Sequence, residues 1–380
     1  MTYESFCKNK DYAMKYVVPA FRKFGVSKLK VKDDGSLIYN HHGQPERELN
    51  SFQKYANAIA YCGTNKNFKV CADHDCHTTH FDGFESCKNR FCPVCQKMKS
   101  LILFSKLYPT VMKLFRHGCY VKMLTFTIKD TENLKDGVRL IKTAFRKFSH
   151  ENKKYRTVFN NLYIGGIKSL EVKRGANSKL WHPHYHALVV MEKPVEDFNA
   201  INVMWNKTLV NIVNNSHKVI YEDRLYNDGF TLTDDNKLVL NDKLGFVHFD
   251  TLNLMSLDSR IHCIYECIKY ITKYSEELED DLPELVDTLR GIRAVDSWGV
   301  LRDIEKDAEE CDTLSLSSVK EQICVNCGKK EFEIIDHITI EDLGKLGYST
   351  KVYDFNTKQN KLERQYEGKE KYWWTLKIGF

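Results

Sequence analysis

Two histidines two positions apart are the residues of this sequence best suited to hold a metal ion. They lie in Trp181–Val190, which beyond Pro183 is rich in β-branched, aromatic and apolar residues, a composition that predicts a β-strand. Because side chains two apart on a strand point to the same side, His184 and His186 can share one divalent cation. A strand can also carry histidines for hydrogen bonding alone, and that alternative stays open.

A third ligand is expected from the strand that precedes the histidines. Tyr163–Val172 also has the composition of a strand, and Lys173–Lys179 between the two is rich in turn formers. An antiparallel hairpin would bring Glu171 opposite the histidines. Two neutral imidazoles and one carboxylate leave positions on a metal ion for phosphate oxygens and water, as a catalytic site requires.

A later segment carries the groups needed for nucleophilic attack on phosphorus. Ile264–Tyr274 lacks proline and glycine and has apolar residues at helical spacing, which predicts a helix. Ionising a free phenol at neutral pH costs about 4 kcal/mol, which neighbouring lysines lower, and a phenolate can form a covalent phosphotyrosine. An ordinary amphipathic surface helix is the alternative interpretation. The polar face of this helix carries Glu266, Lys269, Tyr270, Lys273 and Tyr274.

Taken in order, these segments resemble the rolling-circle replication initiators of bacterial plasmids, members of the wider His-hydrophobe-His (HUH) endonuclease superfamily. The first motif of that family looks like Leu124–Thr127, the second like His182–Leu188 and the third like Glu266–Lys273. The resemblance extends upstream to Cys87–Cys95 and downstream to Arg290–Arg302. It implies an α+β fold in which helices pack on an antiparallel sheet.

The resemblance also implies roles for the site residues. The histidine pair would hold Mg²⁺ or Mn²⁺, and Tyr270 would nick one strand of the plasmid's double-strand origin and stay on the 5′ phosphate. The freed 3′ hydroxyl would prime the polymerase, and Glu266 would activate water for the closing step. Tyr274 fits the two-tyrosine pattern of phage-type initiators, but only the register on Tyr270 has Glu266 before it and Lys273 after it.

The 13 cysteines of the chain favour metal ligands over disulfides. Met1–Tyr12 is polar and no apolar run is long enough to span a bilayer, so we expect a cytoplasmic protein without a membrane partner. In a reducing compartment, cysteines are thiols or metal ligands. Both readings stay open for this chain.

One cysteine group has the spacing of a structural zinc site. Cys92 and Cys95 form a knuckle, and Cys87 precedes it. Together with a fourth ligand they would hold tetrahedral Zn²⁺ and stabilise a loop-rich region. The candidates for the fourth ligand are Cys62, Cys71 and Cys76.

A second half-site is formed by Cys324 and Cys327. Only Cys311 and His337, both distant in sequence, are expected to be able to complete it. This second group is therefore weaker support for zinc than the first.

The charge distribution is compatible with a nucleic-acid partner. Lys and Arg number 57 against 51 acidic residues, a net charge of +6, which alone says little. The stretch 139–156 is strongly basic, and its apolar positions suit an amphipathic helix whose polar face could follow a phosphate backbone. A solvated helix face is the alternative. The predicted DNA-contacting residues are Arg139, Lys142, Arg146, Lys147, Lys153 and Lys154.

The order of elements predicts an α+β protein. Helices are expected at 97–116, bent or broken at Pro109, from 133, and at 194–214, with strands at 120–128, 162–173 and 184–191. The simplest arrangement is an antiparallel sheet with helices on one face. We divide the chain into an N-terminal segment of unknown role (1–60), a zinc module (61–100), a catalytic domain (101–310) and a small β-rich C-terminal extension (311–380).

The function expected from this combination is metal-dependent nicking of DNA at a plasmid origin, on single-stranded or hairpin DNA, followed by strand transfer. The resemblance adds a host helicase and polymerase as partners. A relaxase or transposase with the same chemistry, a zinc-dependent DNA-binding protein without catalysis, and a non-haem iron oxygenase are the alternatives. Nothing in the residues predicts the nicked sequence or the oligomeric state.

Overall fold

The structure is a computed structural model of the 380-residue chain. It describes residues 1–73, 75–151, 163–194, 198–216, 221, 226, 230–233, 238–251, 257–268, 279–304, 313–315 and 322–355. These residues fall into two compact units. The first comprises the described residues within Met1–Ile102, Lys273–Glu279 and Ala308–Phe380, and the second those within Leu103–Thr272 and Asp280–Asp307.

The first unit combines helices with a small sheet. Its helices are α1 (Tyr3–Tyr12), α2 (Val18–Lys23), α3 (Ser51–Tyr61) and α9 (Ile340–Lys345), with a π-helical turn at Ala13–Val17. Its strands are β1 (Ser27–Leu29), β2 (Arg47–Leu49), β3 (Lys66–Cys71), β4 (Thr79–Glu85), β12 (Thr313–Ser315), β13 (Phe332–Ile338) and β14 (Val352–Tyr353). The sheet has the order β12-β4-β3-β13, with β14 parallel to β4, while β1 and β2 form a separate hairpin.

The second unit is built around a five-stranded antiparallel sheet of order β10-β5-β7-β6-β11. Its strands are β5 (Tyr120–Thr127), β6 (Tyr163–Arg174), β7 (Trp181–Met191), β8 (Phe230–Leu232), β9 (Leu238–Leu240), β10 (Val247–Thr251) and β11 (Val295–Gly299). Its helices are α5 (Leu134–Arg146), α6 (Phe198–Asn214), α7 (Leu257–Ile268) and α8 (Leu282–Leu289), with a π-helical turn at Lys147–Glu151. Helix α4 (Pro93–Arg116) begins in the first unit and ends in the second.

The central strand β7 is buried on both faces. On one face Tyr185 lies against Phe145 of α5, with 5.3 Å between the ring centroids. On the other face, which carries the histidines, Leu188 has no exposed surface, and α7 packs against β5, β6 and β7. Since α5 covers the Tyr185 face, α7 covers the histidine face. The α+β class is confirmed, whereas the expectation of helices on one face only is wrong.

Two predicted element boundaries also need correction. Helix α4 continues through Pro109, so the predicted break is absent. Strand β7 begins at Trp181 rather than after Pro183. At that point β7 pairs with β6 but has passed the end of β5, so a proline without an N–H is tolerated on the unpaired side.

Helix α5 follows the amphipathic pattern predicted for it. The Asn133 side chain accepts a hydrogen bond from the Asp136 amide (3.0 Å) and caps the helix. The apolar residues Leu140, Ile141, Ala144 and Phe145 are buried. The described helices include none that is long and apolar enough to cross a membrane. The division into four segments stays a prediction.

Candidate functional site

The β6–β7 hairpin brings the predicted metal ligands together. The register pairs Glu171 directly with His184, and Ser169 with His186. Directly opposed residues of an antiparallel pair point to the same face of the sheet. The alternation of β7 and the turn-rich segment before it therefore place one carboxylate beside two imidazoles, as the sequence predicts.

The three side chains form a small triangle of ligand atoms. Oε2 of Glu171 lies 2.9 Å from Nε2 of His184 and 2.9 Å from Nε2 of His186, and the two nitrogens are 3.2 Å apart. Neighbouring ligands of an octahedral ion with bonds of about 2.1 Å are about 3.0 Å apart. The spacing of this cluster thus fits a divalent cation.

Hydrogen bonds on the far side of each ring orient the histidines. Nδ1 of His184 lies 3.2 Å from the carbonyl oxygen of His182 and donates to it, since a carbonyl can only accept. Nδ1 of His186 lies 3.0 Å from the Thr125 hydroxyl on β5. With its proton on Nδ1, the His184 ring presents the lone pair of Nε2 to the cluster, and the contact with Thr125 fixes the orientation of the His186 ring, as outer partners of metal-binding histidines do.

Burial and charge set the protonation of this cluster. Burial raises the pKa of the Glu171 carboxyl, but hydrogen bonds and charge from the protonated forms of His184 and His186 lower it more, so that the pKa lies well below its usual range. Burial lowers the pKa of His184 to about 4, against the opposing effect of Glu171. At neutral pH the site offers an ionised carboxylate and a neutral His184.

An acidic residue that sequence reasoning missed holds the base of the hairpin. Oδ1 of Asp130 lies 2.6 Å from Nδ1 of His182, and its other oxygen accepts from the Ser178 hydroxyl in the turn. A Cβ atom at Gly175 would meet the Asp130 carboxylate and the Ser178 hydroxyl, so a larger residue there would displace these side chains. Only the turn-forming composition of 173–179 hinted at such a contact.

Glu284 of α8, also missed, joins three elements below the site. One carboxylate oxygen accepts from the amide of Leu134 at the start of α5 (2.8 Å), and the other from Nε1 of Trp181 on β7 (2.9 Å). Arg174 stacks on the buried Trp181 ring, 3.7 Å from its centroid, and pairs with Asp281. The hairpin carrying the ligands is thereby fixed to two helices.

Helix α7, which carries Glu266, packs on the central sheet. The Sγ atom of Cys267 is buried 3.5 Å from the Ile167 carbonyl and 3.6 Å from the His186 carbonyl, which seats the helix closely on the sheet. Glu266, half-buried, is its neighbour in sequence. The predicted site residues Lys269, Tyr270, Lys273 and Tyr274 lie outside the described residues.

A first cysteine cluster, formed by Cys62, Cys87, Cys92 and Cys95, has its ligand atoms within 4.8 Å of one another. Cys62 follows α3, whose last carbonyls accept from Lys10, and Cys95 lies in the first turn of α4. Hydrogen bonds from the other three thiols hold the pKa of Cys95 far below its usual range. Of the three candidates for the fourth ligand, the structure selects Cys62.

A second cysteine cluster contains a first knuckle (Cys71 and Cys76) and a second knuckle (Cys324 and Cys327), again within 4.8 Å. The predictions that Cys71 or Cys76 could complete the first site, and that His337 could complete the second, are wrong. His337 pairs instead with Glu85 at 3.0 Å, and Cys311 lies outside the described residues. The Thr78 hydroxyl lowers the pKa of Cys76 to about 7. Both clusters could hold a metal ion such as zinc.

Three of the basic residues predicted to contact DNA lie on one side of α5. Arg139, Lys142 and Arg146 are exposed and Lys147 is half-exposed. Lys153 and Lys154 lie outside the described residues. The described part of the basic stretch thus presents a cationic surface, and its contact with DNA stays a prediction.

These features define an α+β protein with a candidate metal site on its central sheet. The model of the Rep_1 family, described as replication protein, matches residues 79–338, which is more than half of the chain, and the protein belongs to this family. The match includes β4 and the central sheet of the second unit. It also includes Cys92 and Cys95 of the first cysteine cluster, and Cys324 and Cys327 of the second.

Two curated relatives carry the name "Protein rep". The one from Bacillus amyloliquefaciens is 25% identical over 169 residues, covering 43% of this chain and 47% of the relative. The one from Bacillus sp is 28% identical over 131 residues, covering 32% of this chain and 41% of the relative. The chain thus matches less than half the length of each. No solved structure matches this chain.

Proposed function

We propose that the protein initiates rolling-circle replication of a plasmid by nicking one strand at the double-strand origin, with an HUH-type α+β domain. The observation that carries the proposal is the open triangle formed by His184 and His186 on the central strand β7 and Glu171 on the neighbouring strand β6. Helix α7, seated on the same face, leads directly into the segment that bears Tyr270. Membership of a replication protein family makes a plasmid origin the expected DNA partner.

The proposed site binds one divalent cation, Mg²⁺ or Mn²⁺, through the histidine pair and Glu171. Three protein ligands leave positions for phosphate oxygens, and a mixed set of imidazoles and a carboxylate suits Mn²⁺ better than an all-oxygen site would. When bound, the ion polarises the scissile phosphate and neutralises charge that develops on it. His182 and Thr125 keep the two Nε2 lone pairs directed at the ion.

Tyr270 is the proposed nucleophile. Its phenolate oxygen attacks phosphorus, the bond between phosphorus and the 3′ oxygen breaks, and the 3′ oxygen leaves as a hydroxyl after gaining a proton. The 5′ phosphate remains on the tyrosine, so the energy of the bond is kept for resealing. Lys269 and Lys273 favour the phenolate. Glu266 is proposed to activate water for hydrolytic release at termination.

Zinc in the first cysteine cluster is proposed to be structural. Four thiolates close the coordination shell and leave no position for substrate. The cluster joins the end of α3 to the start of α4, a region in which loops outnumber regular elements. The cationic face of α5 is proposed to contact the phosphate backbone of the origin DNA.

The test is covalent trapping on DNA. The full chain is incubated with single-stranded oligonucleotides from its own replicon, with Mn²⁺ or with chelator, and denaturation-resistant adducts are mapped by mass spectrometry. We expect a metal-dependent adduct on Tyr270 that Tyr270→Phe abolishes while DNA affinity is retained. Tyr274→Phe is the matched control.

Other outcomes distinguish the alternatives. An adduct on Tyr274 would move the register to two-tyrosine chemistry. An absence of any adduct, with DNA affinity and zinc retained, would overturn the nickase in favour of a zinc-dependent DNA-binding protein. Cleavage only at sequences unrelated to a replication origin would point to a relaxase or transposase.

A further inference from the structure

The second cysteine cluster consists of two backbone turns, each closed by a hydrogen bond from an amide to a carbonyl. In the first knuckle the Cys76 amide donates to the Asp73 carbonyl at 3.0 Å. In the second, the Gly328 amide donates to the Cys324 carbonyl at 3.0 Å, and Gly328 has φ +74°, a conformation that suits glycine. Each turn presents two sulfurs to the same point.

Strand pairing holds the two knuckles against each other. Strand β13 pairs with β3 so that Phe332 lies opposite Cys71, and the Ala72 amide donates to the Glu331 carbonyl at 3.1 Å. The second knuckle immediately precedes β13 and therefore meets the first at the end of β3. An ion pair between Lys329 and Asp73 (3.0 Å) joins them further.

The sulfur positions fit tetrahedral zinc. Sγ of Cys71 lies 3.4 Å from Sγ of Cys327, and Sγ of Cys76 lies 3.5 Å from Sγ of Cys324. Zinc with bonds of about 2.3 Å separates its sulfur ligands by roughly 3.8 Å. A shift of a few tenths of an ångström at each sulfur is enough to admit the ion.

Side chains around the cluster hold the turns in place. The side-chain amide of Asn326 donates to the Thr78 hydroxyl at 2.8 Å, and that hydroxyl lies 3.0 Å from Sγ of Cys76. The Val325 amide donates to Nε2 of the buried His80 at 3.3 Å. These bonds link the second knuckle to Thr78 and to strand β4, which follow the first knuckle. Hydrogen bonds of this kind hold metal ligands in position.

We propose that the second cysteine cluster binds Zn²⁺ and that β3, β4 and β13 with the two knuckles form a zinc ribbon split by the intervening chain. The protein then holds two cysteine-bound zinc ions, one in each cluster. The separation along the chain is large, since Cys71 and Cys327 are 256 residues apart. The second ion is therefore a clamp between distant parts of the sequence, independent of any nicking activity.

The two zinc ions have unequal access to solvent. In the first cluster three of the four cysteines are buried and Cys87 is half-buried. In the second, Cys327 is exposed and Cys76 half-buried. A competing chelator reaches the second ion first, so zinc release occurs in a fast and a slow phase.

The first experiment counts zinc. The full chain is purified without chelator, and native mass spectrometry and metal analysis are compared for the wild type, the double variant Cys324→Ser with Cys327→Ser, and the control Cys119→Ser, which lies outside both clusters. We expect two zinc ions in the wild type and control and one in the double variant, which also loses the fast phase of release to a chromogenic chelator. A single ion in the wild type, or a fast phase retained in the double variant, overturns the proposal.

The second experiment uses only the wild-type chain, so it does not depend on the folding of a variant. Native protein is treated with iodoacetamide before and after addition of a chelator, and alkylation is mapped by mass spectrometry. We expect Cys327, although exposed, to react at least tenfold more slowly until zinc is removed, while Cys119 reacts alike in both conditions. Equal reaction of Cys327 with and without chelator contradicts a bound ion.

Discussion

The carboxylate of Glu171 determines what the two histidines can do. In the proposed metal-bound state both imidazoles turn the lone pair of Nε2 toward the ion, and the Glu171 oxygen, 2.9 Å from each Nε2, adds a third acceptor. Three converging acceptors repel one another unless a cation lies between them. Replacing the carboxylate with an amide would remove a negatively charged ligand and weaken the binding of a divalent ion.

Loss of one metal ligand is expected to abolish metal binding. Loss of a residue that only orients a ligand is expected to weaken metal binding. His184→Ala should lower Mn²⁺ affinity by more than about 100-fold and abolish nicking, because a three-ligand site becomes a two-ligand site. Thr125→Val removes the partner of His186 Nδ1 and should lower affinity by about 10- to 100-fold. Calorimetric titration with Mn²⁺ measures both, with the exposed His41→Ala as control. Equal affinity in the wild type and His184→Ala would exclude this residue as a ligand.

Replacement of Glu266 is expected to slow the release of the covalent adduct without slowing nicking. Glu266→Ala should nick single-stranded origin DNA at the rate of the wild type but accumulate the covalent adduct, because no carboxylate activates water at the closing step. Time courses of adduct formation and disappearance measure the two rates. Unchanged adduct lifetime in Glu266→Ala would remove the proposed role, and Glu266→Gln serves as an isosteric control.

At the scale of elements, the sequence is sufficient to predict the β6–β7 hairpin and helix α5. The alternation around His184 and the turn formers after Lys173 predict β6 and β7, because a strand with period two can place its polar residues only on one face. The spacing of apolar residues predicts the buried side of α5 for the same local reason. The ligand triangle follows from these local patterns together with the register.

Contacts between distant segments could not be predicted in this way. Nothing near Cys324 indicates that its partners are Cys71 and Cys76, since the pairing of β13 with β3 depends on packing over a long stretch of chain. Glu284 gives no signal in the sequence either, because an acidic residue in the first turn of a helix is common. The burial of β7 on both faces was missed because alternating histidines resemble a half-exposed strand.

Glu284 is expected to be important for stability. Glu284→Ala leaves the Leu134 amide and the buried Trp181 indole without their acceptor, and an unsatisfied buried donor costs about 1–3 kcal/mol. We expect a loss of about 2 kcal/mol in the free energy of unfolding. Denaturant titration measures it.

Two further variants sharpen this test. Glu284→Gln, which keeps one acceptor oxygen, should lose less than Glu284→Ala. Asp287→Ala, in the same helix and exposed, is the control for changes in helix charge. A Glu284→Ala protein as stable as the control would contradict the role of this network.

The exposed face of α5 is expected to set the salt dependence of DNA binding. Each phosphate contact with single-stranded DNA contributes about 0.7 to the slope of log affinity against log salt. Replacing Arg139, Lys142 and Arg146 with Ala should therefore reduce that slope by about 2 and weaken binding to all sequences alike. Fluorescence anisotropy over a salt series measures the slope. Lys345→Ala, on a different unit, should leave it unchanged.

At the scale of the whole molecule, the two units carry different metal chemistry. The cysteine clusters both lie in the first unit, and the histidine–carboxylate cluster lies in the second. Thiolates retain zinc, whereas imidazole with carboxylate exchanges Mg²⁺ or Mn²⁺ readily. Under the proposed function, a mild chelator is therefore expected to remove the catalytic ion and to leave the zinc ions in place.

Added Mn²⁺ is expected to stabilise the second unit alone. An ion that binds only the folded state at 100 times its Kd adds about 2.7 kcal/mol of stability. Hydrogen exchange should slow in β6 and β7 and remain unchanged in β3 and β4, and His184→Ala should abolish the effect. Equal slowing in both units, or a Mn²⁺ effect that survives in His184→Ala, would place the ion elsewhere.

The pairing of β13 with β3 has a consequence for synthesis on the ribosome. Residues at the end of β3 leave the ribosome 256 residues before Cys327, a delay on the order of 10 to 50 s at ordinary elongation rates. Throughout that time one side of β3 lacks its neighbouring strand and the first knuckle lacks half of its sulfurs. The last strand of the five-stranded sheet, β11, is synthesised before β13, so all strands of the sheet in the second unit are available before all of those of the sheet in the first.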